Sequence, residues 1–200
     1  MSKTTPSANR RRAERQPGDR APAPGDLALV QSFVNTSWDL ERDGQEQLGS
    51  PSDLAAWLGE HGLLKRGTKL GTADLNRALD VREGLRSMLF VNNGAPRNQE
   101  ATERLNRVLG RTTLAVRFGG DATAELIPRG GDLDAALGSL ASIVAVAQID
   151  GTWSRLKACR GVHCGWGFYD HSRNQSGSWC SMSVCGSRSK AREYRRRHRP

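Results

Sequence analysis

The sequence predicts an α+β fold: a mainly helical N-terminal domain with a β-hairpin, followed by a small four-cysteine zinc finger and a basic C-terminal helix. Three observations lead to this prediction. Apolar residues recur at helical spacing through much of residues 26–150, with one stretch of strict alternation at Thr113–Phe118. The formal net charge of +9 divides into +4 for residues 1–20, −4 for residues 21–150 and +9 for residues 151–200. All four cysteines lie in the last of these segments.

These patterns divide the chain into three parts. Residues 1–25 are rich in Ser, Pro, Ala and Arg and show neither a helical nor a strand period, which predicts a disordered basic tail. Residues 26–150 carry the apolar repeats and form the predicted α+β domain. Residues 151–200 form the predicted finger with its basic helix.

Capping residues, terminating glycines and apolar spacing identify the elements of the α+β domain. A Gly-Gly-Asp turn between two alternating stretches indicates a hairpin. In chain order, the predicted elements are a short helix after Ser52 that ends near Gly62, a longer helix capped by Thr72, a helix at Gln99–Leu109, a hairpin around Gly119-Gly120-Asp121, and a last helix from Leu133 to Ala147.

Several classes of protein are excluded by what the sequence lacks. Four cysteines are too few for a disulfide-stapled secreted scaffold, and residues 1–26 lack the apolar stretch of a signal peptide. The most apolar segment, residues 133–149, is interrupted by polar residues, so we expect no membrane partner and a cytoplasmic, nucleoid-associated protein. We also find no nucleophile–base pair, phosphate loop or catalytic metal motif, so we expect no enzymatic activity.

Two arginines of the predicted long helix are candidate ligand-binding residues. Arg82 and Arg86 share a helical stripe with apolar residues, so each buried guanidinium needs an anion or another acceptor. Asn35 and Thr36, which end an apolar stretch, can add donors to such an anion-binding pocket. The alternative is that the arginines pair with internal acids or extend past the core to water.

The cysteines have the spacing Cys159-x4-Cys164-x15-Cys180-x4-Cys185. Two close pairs joined by a short loop can bring four thiolates to one tetrahedral Zn²⁺. Four protein ligands leave no open position for water, so the predicted zinc is structural. Disulfides are the competing use of these cysteines, but reducing conditions in the cytoplasm disfavour them.

The loop between the cysteine pairs is rich in Gly, Ser and Asn, so metal binding should supply most of the folding energy of the finger. His163 and His171 lie in this loop. We expect both to be polar loop residues, because the cysteines already complete the metal shell.

The segment after the last cysteine predicts a basic helix with Ser187 as a candidate N-cap. Its arginines recur at spacings of four, three and four and form one stripe, where like charges repel until phosphates neutralise them. A zinc site that fixes the start of such a helix is a common way to direct arginines at DNA. The candidate DNA-binding residues are Arg188, Lys190, Arg192, Arg195, Arg196, Arg197 and Arg199.

Both folded parts resemble known families. The motifs that carry the resemblance are the two cysteine pairs, Phe168–Asn174, Trp179–Met182 and Cys185–Lys190 in the finger, and Phe33–Thr36, Ser50–Leu58 and the Arg82/Arg86 helix in the domain. On these residues the finger resembles the CGNR-type zinc finger, and the preceding domain is similar to the ABATE domain. The resemblance covers about residues 26–197 and implies a bacterial, stress-linked transcription regulator in which a domain that senses a small ligand precedes a DNA-binding finger.

The chain departs from the CGNR pattern at two places. Ser187 replaces the asparagine that gives the family its name, which keeps a capping side chain but removes any contact specific to asparagine. Gly177-Ser178 stands where fingers of the family often carry basic residues, so we expect fewer phosphate contacts there.

Other functions stay open on the sequence alone. An RNA-binding accessory protein would stack bases on exposed aromatic rings. A ligand-binding or enzymatic N-terminal domain tethered to nucleic acid is another alternative. The oligomeric state is open as well, with a homodimer as one option. The rings considered for base stacking are Trp166, Phe168, Tyr169 and Trp179.

Overall fold

A computed structural model describes residues 16–38 and 45–198, which form six α-helices and two antiparallel hairpins. This confirms the predicted α+β class. The helices are α1 (Leu27–Val34), α2 (Pro51–Glu60), α3 (Thr72–Asn92), α4 (Gln99–Leu109), α5 (Asp132–Ile149) and α6 (Ser187–Arg197). The strands are β1 (Thr113–Phe118), β2 (Ala124–Arg129), β3 (Leu156–Ala158) and β4 (Gly167–Tyr169).

Local polar contacts set where the helices begin. At α2 the Ser50 hydroxyl accepts a hydrogen bond from the Asp53 N–H at 3.2 Å, which satisfies one of the free N–H groups of the first turn. The predicted cap of α3 was wrong by one residue. Gly71 is the N-cap, and its own N–H donates to Asp74 at 2.9 Å, while Thr72 is already helical.

The core of the N-terminal domain forms where α1, α3 and α5 pack together and α2 and α4 cover α3. Phe33, Leu58, Leu89 and Leu137 are among its fully buried side chains. Helix α5 is long and apolar enough to cross a bilayer by length and composition, a test that core helices of soluble proteins also pass. Its buried face contributes to this core.

The first hairpin packs on α5. Strands β1 and β2 pair antiparallel from Thr113↔Arg129 to Phe118↔Ala124, as the alternating sequence predicts. Gly138 of α5 permits the close approach, because a Cβ at this position would lie 3.3 Å from the Cβ of Pro128. The base of the hairpin is therefore held against the helix.

The second hairpin, β3–β4, was not predicted from the sequence. It follows a short 3-10 turn (Trp153–Arg155), and β3 lies against α3. A single π turn (Met182–Gly186) then continues directly into α6. Ser187 is therefore the first residue of α6 rather than its N-cap, and its hydroxyl donates to the Met182 carbonyl at 3.1 Å.

The predicted disordered tail ends earlier than residue 25. Residues 1–15 lie outside the described residues, but residues 16–25 make specific contacts with the rest of the chain. The Gln16 side-chain oxygen accepts hydrogen bonds from Gln31 (2.9 Å) and from the Trp166 indole (3.0 Å). The Arg20 guanidinium donates to the Cys180 carbonyl at 3.1 Å. Composition gives no sign of contacts with residues that are distant in the sequence, and for this reason it indicated disorder.

A pair of Gly→Ala substitutions tests the packing of α3 against α4. A Cβ at Gly84 would lie 2.8 Å from the Cβ of Leu105, whereas one at Gly59 of α2 has 3.8 Å to its nearest neighbour. Gly84→Ala should lower the free energy of unfolding by about 1–3 kcal/mol through overpacking. Gly59→Ala should raise it by up to about 1 kcal/mol through helix propensity. Denaturant unfolding of both variants measures this, and equal effects would contradict the packing.

Candidate functional site

The four cysteines converge on one point of the finger. Their Sγ atoms all lie within 4.8 Å of one another, with 3.7 Å between Cys164 and Cys180 and 3.6 Å between Cys180 and Cys185. A tetrahedral zinc with Zn–S bonds of about 2.3 Å requires S···S distances of about 3.8 Å. None of the cysteines forms a disulfide. The donor set and its spacing therefore fit one closed Zn²⁺ shell.

Local structure positions three of the four sulfurs. Cys159 follows β3, Cys164 ends the turn before β4, and Cys185 lies within the π turn that precedes α6. The Gly161 N–H donates to the Cys159 sulfur at 3.3 Å. A Cβ at Gly161 would lie 2.9 Å from the Cys185 sulfur, so the absence of a side chain here lets the two halves of the site close.

The electrostatics of the cluster favour a cation. Hydrogen bonds from the Cys164 and Cys180 thiols stabilise a thiolate at Cys159 and lower its pKa. The same hydrogen bond raises the pKa of Cys164 to about 12, and the neighbouring thiols also raise the pKa of Cys180. Four adjacent sulfurs therefore resist complete ionisation by themselves. A dication offsets the repulsion among thiolates and stabilises the deprotonated shell.

A buried ion pair holds the loop between β4 and the second cysteine pair. The Lys157 ammonium donates to Asp170 Oδ2 at 2.8 Å, and the same carboxylate oxygen accepts from the Gly177 N–H at 2.7 Å. Burial opposes ionisation of Asp170, but hydrogen bonds from Lys157, Ser172 and Gly177 outweigh it and lower its pKa. Each buried charge therefore has its partner, as a stable buried pair requires.

The candidate DNA-binding residues lie on a freely accessible helix. No residue of α6 is buried, and Arg197 forms an ion pair with Glu193 one turn earlier. The candidates Arg188, Lys190, Arg192, Arg195, Arg196 and Arg197 all belong to α6, whereas Arg199 lies outside the described residues. Arg188 and Arg192 also line a cavity of about 330 Å³ beside the cysteines, together with Trp38 and Val184.

The aromatic rings of the finger are not the exposed platform that RNA stacking would need. Trp166, Phe168 and Tyr169 are buried, and Trp179 is half-buried. Trp166, Phe168 and Trp179 form a small core with the cysteines and with Trp38, whose ring meets Trp166 edge-on at 5.3 Å between centroids, whereas Tyr169 belongs to the core of the N-terminal domain. The expectation of exposed rings was wrong because the N-terminal domain and the cysteine cluster cover them.

Asn35, a candidate ligand-binding residue, contacts the finger instead of an open pocket. Its side-chain oxygen accepts from the Gly167 N–H at 2.7 Å, and its amide donates to the Gly167 carbonyl at 2.8 Å. The side chain thus pairs with the first residue of β4 as a neighbouring strand would. Thr36 is also buried, and its hydroxyl donates to the Phe33 carbonyl at 2.8 Å.

The guanidinium groups of Arg82 and Arg86 are satisfied by protein atoms. Arg82 binds both oxygens of Glu46 at 2.6 and 2.7 Å and also donates to Glu83 at 2.8 Å. Although burial opposes ionisation of both carboxyls, Arg82 lowers the pKa of Glu46, and Arg86 and Arg82 together lower that of Glu83. The contacts favour the internal pairing that the sequence offered as the alternative, and ligand binding at these residues stays a prediction.

Arg86 joins three parts of the chain. It donates to the carbonyl of Val34, the last residue of α1, and to the Gly165 carbonyl of the finger, both at 2.8 Å, and to the Ser37 carbonyl at 2.9 Å. Its Nε binds Glu83 at 2.9 Å. This fully buried side chain therefore holds the N-terminal domain and the finger together.

Sequence reasoning missed several members of this interface. Asn93 donates to the carbonyls of Ala158 (2.7 Å) and Ser178 (3.0 Å), and Gln31 donates to the Gly167 carbonyl at 3.1 Å. Gln31 lies on the buried face of α1 and Asn93 is the C-cap residue of α3, and neither position indicates the partner. We call the set Gln31, Asn35, Arg86 and Asn93 the docking cluster.

Two family models match separate parts of the chain. The ABATE family, described as "putative stress-induced transcription regulator", matches residues 25–150. The chain belongs to the ABATE family. The CGNR zinc finger matches residues 155–198, which contain all four cysteines. The comparison with curated proteins gives no significant match.

The CGNR finger of this ABATE protein therefore has the donor set for one structural zinc, which Cys159, Cys164, Cys180 and Cys185 would hold. Bound by four thiolates, the metal would have no open position for substrate or water. It would join the end of β3, the turn before β4 and the π turn before α6. The histidines His163 and His171 lie outside the four-sulfur cluster, as expected.

Metal analysis tests the zinc site. The purified, reduced protein should contain one zinc per chain, and Cys180→Ser should lose most of it because three thiolates no longer fill the shell. Ser176→Ala, an exposed change in the same finger, should retain the full content. Folded, reduced protein that contains no zinc would contradict the assignment.

A second test addresses the docking cluster. Asn35→Ala leaves the buried Gly167 N–H without an acceptor and should lower the free energy of unfolding by about 1–3 kcal/mol. Asn106→Ala, on the exposed face of α4, should change it by less than about 0.5 kcal/mol. Denaturant unfolding of the zinc-loaded variants measures both, and equal stabilities would show that the Asn35 contacts contribute nothing.

Proposed function

We propose that this ABATE protein is a DNA-binding transcription regulator whose CGNR finger presents α6 to the phosphate backbone. The observation that carries the proposal is the direct continuity of the zinc site with α6. Cys185 is a metal ligand within the π turn, and α6 begins two residues later. The metal thus fixes the start of a helix whose side chains all reach solvent.

Charge supports the same proposal. The segment from residue 151 onward carries a net +9, whereas residues 21–150 carry −4. Phosphates attract the first and repel the second, so electrostatics orient the finger toward the duplex. Phosphate contacts then supply most of the affinity, and Arg188 or Arg192 near the start of α6 are our candidates for contacts with base edges.

The ABATE domain has a defined part in this proposal. The docking cluster joins it to the finger through buried hydrogen bonds, so the domain holds α6 in one orientation. A small ligand that binds the domain would act through these same contacts, and this sensing role is the one that the resemblance to the ABATE domain implies. A regulator that binds chromosomal DNA would be cytoplasmic and nucleoid-associated.

Salt dependence of binding to a mixed-sequence duplex tests the proposal. Affinity should fall linearly on a log–log plot with salt, with a slope of about −0.9 for each phosphate neutralised. Arg192→Ala should weaken binding and reduce the size of the slope by about 1. Arg107→Ala, an exposed arginine at the end of α4, should change neither quantity.

Two outcomes would contradict DNA binding through α6. One is an affinity that does not change between low and high salt. The other is equal weakening by Arg107→Ala and Arg192→Ala, which would place the contact surface elsewhere. Competition with single-stranded RNA separates the RNA-binding alternative, since an RNA-binding protein would prefer the single strand.

A further inference from the structure

Large apolar side chains are exposed together on one side of the ABATE domain. Val116 and Phe118 of β1 are 59% and 75% exposed, and Val146 and Ile149 of α5 are 50% and 86% exposed. Contiguous apolar surface of this kind marks interaction sites in soluble proteins. A groove of about 810 Å³ separates the two elements, and we call it the hairpin groove; its apolar lining includes Val116, Leu126, Ile143, Val146 and Ile149.

The hairpin is held at its base and open at its tip. Pairing of Leu114 with Pro128 and of Phe118 with Ala124 places these residues on one face of the sheet. At the base, Leu114 and Pro128 lie against Gly138 of α5. Toward the tip the same face leaves the helix, and Phe118 projects beside the groove without cover.

The strands of this hairpin also lack neighbours. Within the described residues β1 pairs with β2 alone, so the outer edge of each strand presents unpaired backbone groups. Packing on α5 stabilises the base of the hairpin, but the apolar face near its tip has no such cover. Both the edge and the face are therefore suited to contact with another surface.

We propose that the hairpin groove is the interface of a homodimer, in which Phe118 of each copy enters the groove of the other. The argument for a second copy is that a protruding apolar knob and an apolar groove lie side by side on one surface. A twofold axis brings Phe118 of each copy to the hairpin groove of the other copy. The same patch is then buried on both copies in a closed, isologous contact.

Charge contributes little to this pairing. Arg117 precedes Phe118 in β1, so the two side chains lie on opposite faces of the hairpin. Arg117 pairs with Glu125 of its own hairpin at 2.9 Å, and an exposed pair of this kind contributes little. The proposed contact therefore depends on the burial of apolar surface.

The homodimer does not depend on nucleic-acid binding, so either proposal can fail while the other holds. If both hold, the dimer carries two fingers related by a twofold axis. Such a protein would recognise two half-sites in inverted orientation. A monomer would have a single basic helix for all its contacts.

Sedimentation equilibrium of the full, zinc-loaded chain tests the dimer. Wild type should be dimeric in the micromolar range. Phe118→Glu places a charge in the apolar groove, and Ile149→Lys places one in its wall, so each variant alone should dimerise more weakly by about tenfold or more. Circular dichroism and zinc content should match wild type, because both side chains are exposed.

Mixing the two variants tests the reciprocal geometry. In a mixed dimer, Glu at position 118 of one copy meets Lys at position 149 of the other, and the second contact keeps Phe118 and Ile149. The mixture should therefore dimerise more strongly than either variant alone. This rescue would not follow if the two substitutions merely disturbed the fold.

Val162→Glu is the matched control, because Val162 is an exposed apolar residue of the finger, at 51%, outside the hairpin groove. It should leave the dimer unchanged. Three results would overturn the proposal: a wild type that stays monomeric at high micromolar concentration, including one that binds lipid vesicles through the patch instead; a dimer that Val162→Glu weakens as much as Phe118→Glu does; or variants that fail to rescue each other when mixed.

Discussion

The finger and the ABATE domain are joined by polar side chains that have no access to water. Asn35 pairs with both backbone groups of Gly167, and Arg86 reaches the Gly165 carbonyl from the middle of α3. A buried amide or guanidinium without a partner is costly, so these contacts form only when the finger lies in one position. The remaining architecture follows from this constraint, because β3, β4 and the zinc ligands are placed by it.

The finger has a second source of stability besides the metal. The finger was expected to depend on metal for most of its folding energy. In the structure its aromatic residues form a core shared with Trp38 and with the segment from Gln16 to Arg20. Arg20 lies 5.0 Å above the Phe168 ring while it donates to the Cys180 carbonyl. Zinc and packing therefore stabilise the same small unit from two sides.

Local physics explains which elements could be predicted. The helix at Gln99–Leu109 and the hairpin at Thr113–Phe118 depend on periodicity and capping, and both were found at the expected residues. Strand β3 has three residues and no alternation to detect. Ser187 has the composition of a cap, but the preceding π turn had already begun the helical rotation. Short elements that tertiary contacts stabilise leave little local signal.

By itself, the sequence determined the chemistry of the metal site and the segregation of charge. Thiolate preference and cysteine spacing are properties of local composition, and so is the basic stripe after Cys185. Only the tertiary structure decided what Arg82, Arg86 and Asn35 bind. A buried polar side chain indicates that it needs a partner, but apart from Glu83 the partners of these side chains lie 36 to 132 residues away. Folding alone brings Glu46, Gly165 and Gly167 to these side chains, because their positions depend on how every helix packs.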